Sequence, residues 1–278
     1  MKIPILRMLA VIVGTLFFSY ALLVAVVFYS QDSLLYFPPA MTALQAKQFA
    51  QAYRLKPYTR EWHDAAWTPM TNPPGNGQRG TIIVAHGNAA SALGSVGFVE
   101  ALAPLGFRVV LYEYPGYATN PGKPSETANV EPLRKLVREI ASATPGRPVY
   151  LFGQSLGCGV VCSALRDKTL AVAGVILLQP WDSLAGVAGT HYPFLPAALI
   201  TAGRYNSMAN LPAFTGPVAF VACAKDVTIP PELSRRLHDA YPGKKMWLEH
   251  PNCDHNTWPS DPKLPWWATI TDFVAPQS

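Results

Sequence analysis

The strongest hydrophobic signal in the chain comes early. Residues 8–29, MLAVIVGTLFFSYALLVAVVFY, run for 22 positions without a charge, about the length a helix needs to cross a bilayer. A polar stretch at 42–53 then predicts a short helix, and the turn-rich PMTNPPGNGQRG at 69–80 predicts a loop between strands. Beyond it, TIIVAH, FRVVLYEY, PVYLFG, AGVILLQP, PVAFVAC and KKMWLEH are continuous apolar runs of strand length, the pattern of strands covered on both faces. Helices are predicted between them near 95–104, 125–144, 157–166 and 231–241, with a closing helix at 266–274. Strands alternating with helices predict an α/β fold, a mostly parallel sheet with helices on both faces. Ligands of such sheets bind at the carboxyl ends of the strands, so candidate chemistry is sought there.

The apolar run divides the chain into an N-terminal transmembrane segment, 1–30, and a domain, 31–278. Lys2 and Arg7 precede the run and the first basic residue after it is Lys47. The positive-inside bias therefore puts the N-terminus in the cytoplasm and the domain outside, periplasmic if the cell is bacterial. A cleaved signal peptide is the competing reading. The run exceeds the usual h-region of ~7–15 residues and no A-x-A site follows, so a retained signal anchor is expected. Composition is oily, 50% apolar and 14% charged, and the net charge of +5 is scattered. With no basic run and no interleaved aromatics, nucleic acid is not an expected partner; weak attraction to anionic membrane lipid is compatible with the charge.

Among the strand ends, YLFGQSLGCG is distinctive. Gly153-Gln154-Ser155-Leu156-Gly157 fits G-x-S-x-G between a strand and a helix, where small neighbours let a serine sit on a tight turn with its hydroxyl exposed. A serine hydroxyl needs a base oriented by a third group, and in this arrangement the acid and then the histidine follow in chain order. Asp226, in the loop after PVAFVAC, is the candidate acid, with Asp182 in QPWDSL as its rival. WLEHPNCDHNTW offers His250 and His255; His255 lies deeper in the loop and is chosen. His86 comes too early in the order and is expected to brace a loop, while His63, His191 and His238 have no supporting context. Oxyanion donors are expected from the backbone N–H of Leu156 and of Asn88 in the turn after TIIVAH, with Ala89 as the alternative to Asn88.

These motifs resemble a known family. LLYFPP after an N-terminal span, HGNAAS, LYEYPGYATNPGKPSE, GQSLGCGVV, RYNSMANLPAFTGPV, CAKDVTIP and CDHN are similar to the membrane-anchored BEM46-like group of α/β-hydrolases, related to α/β-hydrolase-domain proteins 12, 13 and 17. The chain departs from that pattern at Pro115, at Asn206 and at the centre of ACAKD. The resemblance implies an α/β-hydrolase fold with a minimal cap, and a serine hydrolase using Ser155, Asp226 and His255. An esterase, lipase or thioesterase acting beside a membrane is the expected activity, its substrate an acyl ester or thioester, with no cofactor or metal. A non-catalytic membrane scaffold and an acyltransferase using the same triad are the alternatives. The uncharged stretch at 183–203 reads either as an apolar wall over the site or as a core-covering helix.

Four cysteines lack the C-x-x-C spacing of zinc or redox sites. Cys158 and Cys162, four apart on one predicted helix, are expected to be buried thiols. Cys223 and Cys253 flank the two loops that must converge for Asp226 to reach His255. Two unrelated buried thiols is the default expectation for them. A disulfide closing some thirty residues, worth ~3–4 kcal/mol, is the alternative.

Overall fold

The computed structural model describes residues 2–71 and 79–276; the centre of the predicted 69–80 loop lies outside the described residues. Helix α1 (Lys2–Leu35) runs unbroken past residue 30. Its span Ile5–Leu35, whose most apolar 18 residues have a mean hydropathy of 2.5, is long and apolar enough to cross a membrane. Residues 5–23 are exposed, whereas Val24, Ala25 and Val27 are half-buried against the domain. A long helix apolar all round and exposed over most of its length fits a single-pass anchor.

Helix α2 (Ala43–Ala52) begins in a capping box, Thr42 and Gln45 each bonding the other's backbone N–H. Strands β1 (Leu55–Pro57) and β2 (Ala66–Pro69) form an antiparallel margin that the hydrophobic pattern does not announce, being too short to show a period. Then follow β3 (Thr81–Ala85), α3 (Val96–Leu102), β4 (Arg108–Tyr112), α4 (Glu126–Ala143), β5 (Val149–Gln154), α5 (Leu156–Ala164) and β6 (Gly174–Leu178). Three short helices, α6 (Leu184–His191), α7 (Ala197–Thr201) and α8 (Ser207–Asn210), precede β7 (Val218–Cys223), α9 (Pro231–Ala240), β8 (Lys245–His250) and α10 (Trp266–Val274). The predicted helices therefore form within a residue or two of their expected bounds.

The eight strands make one sheet in the order β1-β2-β4-β3-β5-β6-β7-β8, with β3 to β8 parallel. Strands β3, β5, β6 and β7 are buried almost throughout, as continuous apolar runs require. Two cores lie on opposite faces of the sheet. One packs α4, α5 and α9 around Leu133, Val137, Val161 and Leu237; the other packs α2, α3 and α10 around Phe98, Leu102, Trp267 and Ile270. The order 4-3-5-6 places β3, β5 and β6 side by side, so their C-terminal loops share one rim.

The end of α1 is tied to this domain by polar contacts. Arg204 pairs with Asp32 at 2.6 Å. The buried hydroxyl of Tyr36 lies 3.0 Å from that of Tyr205, which also accepts a bond from Asn129 Nδ2. Replacing Tyr205 by Phe strands two buried polar groups at once. Tyr205→Phe is therefore expected to lower the unfolding free energy by about 1–3 kcal/mol, and Tyr53→Phe on the exposed surface by no more than about 0.5 kcal/mol, read by urea titration in detergent.

Candidate active site

Strand β5 hands directly into α5 through Ser155, which adopts φ 50° and ψ −113°. Such a conformation is strained for a residue with a side chain, and the surroundings hold it there. The Ser155 N–H donates to Leu178 O at 2.9 Å, and its carbonyl accepts from Cys158 N–H and from Trp181 Nε1–H, both at 2.9 Å. Two glycines make the turn sterically feasible. A Cβ on Gly157 would collide with the Ala85 carbonyl oxygen, and one on Gly153 would lie 2.8 Å from Cys158 N and Cα.

The hydroxyl so presented meets an imidazole. His255 Nε2 lies 3.0 Å from Ser155 Oγ, and His255 Nδ1 lies 2.7 Å from Asp226 Oδ2. With the Nδ1 proton directed at the carboxylate, Nε2 is left to accept from the serine. Asp226 is buried, and its other oxygen accepts backbone N–H bonds from Thr228 at 2.9 Å and Ile229 at 2.7 Å. The three residues picked from chain order thus form one hydrogen-bonded chain.

The rivals are occupied elsewhere. Asp182 accepts from Arg236 Nε at 2.8 Å and from the Ser183 N–H at 2.6 Å. His250 packs its ring against Trp266, and burial holds its pKa below the ordinary imidazole value. His86 braces the loop as expected: fully buried, its Nδ1–H donates to Gly87 O at 2.8 Å and its Nε2 lies 2.7 Å from Glu113 Oε1. Among the described residues no group of acidic, histidine and cysteine side chains is arranged to hold a metal.

The loop after β3 carries the other predicted donor. The Ala89 N–H is taken by Asn88 Oδ1 at 3.0 Å, which removes Ala89 as the rival. Asn88 Oδ1 also accepts from Tyr117 Oη at 2.7 Å and Phe37 N–H at 3.0 Å, while Asn88 Nδ2 donates to Leu35 O at 2.5 Å. The Asn88 backbone N–H has no protein acceptor among the described residues. Leu156 opens α5, so its N–H has no acceptor within the helix. Both donors border a cavity of about 760 Å³ that also contains Ser155, His255, Trp181 and Trp258, within the size range of small-molecule sites.

Helix α6 forms one wall of that cavity through Leu184 and Val187, and none of its residues is fully buried. Both readings of 183–203 are met in part: Leu184 and Val187 line the cavity and also pack on the core below, and α7 buries Ile200. Two supporting residues escaped the sequence reading. Gln179, in the left-handed region at φ 55°, donates from Nε2 to His255 O at 2.8 Å; a polar residue ending an all-apolar strand was its only signal. Trp181, which holds the Ser155 carbonyl, stood beside Asp182 in QPWDSL without a visible partner.

Cys223 and Cys253 form a disulfide with Cα atoms 5.1 Å apart, which corrects the default expectation of two separate thiols. The reason is convergence. Lys225 N–H donates to Cys253 O and Ala224 N–H to His250 O, each at 3.0 Å, so the acid and histidine loops already lie side by side. Cys158 and Cys162 are buried free thiols, as expected.

Residues 80–196 match the α/β-hydrolase fold family, and the protein has the α/β-hydrolase fold, with an eight-stranded, mostly parallel sheet. Relatives sharpen the comparison. An uncharacterised protein of Mycobacterium tuberculosis is 32% identical over 186 residues, covering 66% of this chain and 64% of that protein. The lysophosphatidylserine lipase ABHD12 of Danio rerio is 28% identical over 57% of this chain and 46% of its own length. For protein ABHD12B of Homo sapiens the figures are 28%, 77% and 65%. The chain spans less than two thirds of the length of each. Among solved structures, a Paleococcus ferrophilus monoacylglycerol lipase has a TM-score of 0.56 at 21% identity, over 71% of this chain and 94% of that one. A Pyrococcus furiosus esterase has a TM-score of 0.60 at 14% identity, over 86% and 96%. These two likenesses are of fold.

Burial pushes the Cys162 thiol up to about 12 and the Cys158 thiol well above its ordinary value, so neither forms thiolate at neutral pH. Iodoacetamide is expected to leave both unmodified in the native protein. After unfolding without reductant two thiols should titrate, and after reduction four; four before reduction would show the bridge absent.

Proposed function

We propose that the protein is a membrane-anchored serine hydrolase that cleaves carboxylic ester or thioester bonds of lipid or acyl substrates through an acyl-enzyme on Ser155. The observation that carries this reading is the Ser155–His255–Asp226 hydrogen-bonded chain at the rim of the cavity. In the acylation step Ser155 Oγ attacks the substrate carbonyl while His255 Nε2 takes its proton. The imidazolium, paired with Asp226, then gives that proton to the departing alcohol or thiol. Developing negative charge on the carbonyl oxygen is met by the N–H groups of Leu156 and Asn88, with the N-terminus of α5 behind them. Water, deprotonated by the same imidazole, attacks the acyl-serine and releases the acid. ABHD12 and the archaeal monoacylglycerol lipase, by their names, act on lipid esters, which favours lipid or acyl substrates for this chain as well.

The anchor reading rests on the exposed apolar part of α1, and its orientation on Lys2 and Arg7 before the span. The domain then lies on the extracytoplasmic side, where a disulfide persists.

Ser155→Ala and His255→Ala are each expected to lower kcat by ~10⁴-fold or more on a short-chain ester, with the double variant no worse than either alone. Asp226→Asn should impair kcat strongly through a misdirected imidazole, and Asp182→Asn by less than about tenfold. A fluorophosphonate should label the wild-type chain and leave Ser155→Ala unlabelled; a folded protein without Ser155-dependent labelling would sink the hydrolase reading in favour of a scaffold. A second measurement addresses topology. Protease added to spheroplasts or right-side-out vesicles should digest the domain, while protection there, or a mature N-terminus beginning after Tyr29, would overturn the orientation or the retained anchor.

A further inference from the structure

We propose that the anchor helix is one wall of the active site: the apolar crevice between α1 and the cap helices α6 and α7 is the channel that takes the acyl chain of a membrane lipid, which enters it from the bilayer. The proposal rests on the serine-hydrolase reading and deepens it.

The first ground is continuity. Beside the cavity that holds Ser155 lies a second space of about 200 Å³. The two share Leu34 and Leu35 of α1 with Leu184, Val187, His191 and Tyr192 of the cap region. From there the crevice extends along Val27 on one side and Ala188, Leu195 and Ile200 on the other. Its polar members are few, Gln31, His191, Thr201 and the hydroxyl of Tyr192. A narrow apolar groove leading away from a nucleophile suits a hydrocarbon chain and gives little to a polar headgroup.

The second ground is the register of α1 in a bilayer. A hydrocarbon core of ~30 Å takes about 20 helical residues. Counted from Arg7, the last charge before the apolar run, these end near Val27, the outermost α1 residue of the crevice. The crevice therefore starts where the helix leaves the hydrocarbon.

The third ground is a contact at greater depth. Tyr20 Oη donates to the Phe194 carbonyl at 2.8 Å, two turns further into the span than Val27. In hydrocarbon an unpaired hydroxyl or carbonyl is costly, and here each satisfies the other. On the same cap segment Tyr192, Phe194 and Leu199 are 54%, 62% and 69% exposed, a cluster of large apolar side chains unusual for a face in water. Phe194, whose carbonyl meets Tyr20, is set at that depth and faces lipid. The cap thus dips into the outer part of the bilayer beside α1, and the crevice between them is open to lipid chains. A route through water to Ser155 would use none of these features.

The test uses the full-length protein in phosphatidylcholine vesicles and a dodecyl fluorophosphonate with a diazirine at the far end of its chain. Ser155 Oγ forms a bond to phosphorus, fluoride leaves, and the serine proton passes through His255 to solvent. After photolysis, crosslinks are expected on peptides containing residues 27–35 or 188–200, and none in Ser155→Ala. Labelling of Ser155 with crosslinks confined to other segments would overturn the channel and leave the hydrolase reading standing. Failure to label Ser155 at all would overturn the hydrolase reading, and the channel with it.

A kinetic arm needs no photochemistry. Ala188→Trp and Val27→Trp, which fill the crevice from its two walls, should each lower the ratio of kcat/KM for a dodecanoyl ester to that for a butanoyl ester by about tenfold or more. Ala198→Trp, on the exposed face of α7, should leave that ratio within about twofold. An unchanged ratio in either crevice variant, shown folded by circular dichroism, would count against the channel.

Discussion

The structure turns on one close approach of backbones. Where β5 passes into α5, the helix start lies so near the end of β3 that Gly157 has no room for a Cβ against the Ala85 carbonyl, and Gly153 none against Cys158. Only with both side chains missing can the chain reverse direction within one residue and leave Ser155 at the apex. The strain at that apex is modest, of order 1–3 kcal/mol. It is offset by three hydrogen bonds to the Ser155 backbone, one within the first turn of α5 and two with the end of β6 and the loop after it. One of these comes from Trp181, in the loop after β6, so the neighbouring strand takes part in holding the turn.

Around that apex the site divides into a fixed half and an adaptable half. The fixed half is the acid and histidine loops, joined by the Cys223–Cys253 bridge and two backbone hydrogen bonds, with Gln179 holding the carbonyl of His255 from below. Such bracing holds the imidazole in one orientation, which the proposed mechanism needs for electrostatic stabilisation without reorganisation. The adaptable half is α6 and α7, short helices with few buried residues, where an apolar ligand would replace solvent rather than displace packed side chains.

A buried polar cluster underlies the β3 side of the site. His86 and Glu113 lie beneath the Gly87–Ala89 turn with almost no exposure. Burying polar groups is costly unless hydrogen bonds compensate, and they do. Glu113 accepts from Ala92 N–H at 2.8 Å and Tyr114 N–H at 3.2 Å, and the His86 carbonyl accepts from Tyr114 Oη at 2.6 Å. Above the cluster, Asn88 reaches outward to Leu35 O and Phe37 N–H. The end of α1 is thereby fastened to the same turn that carries the Asn88 N–H, the donor proposed for the oxyanion.

Much of this was legible in the residues. Continuous apolar runs revealed strands β3 to β7, because strands covered on both faces tolerate little else, while edge strand β8 is only half-buried. Glycines two positions either side of Ser155 marked the turn, and chain order singled out Asp226 and His255. These are local signals: each depends on what a few neighbouring residues will permit. The rest depended on pairs far apart in sequence. Whether Cys223 meets Cys253 is decided by the directions of two side chains on separate loops. Asp182 lost its candidacy to Arg236, 54 positions away, and Gln179 found its role only where the histidine loop folds over it. The uncharged stretch at 183–203 became a wall of the site because Leu184 and Val187, seated on the core, also face α1 across the cavity. Composition specifies what a segment is able to bury, but the partner it is buried against is set by packing across the whole chain.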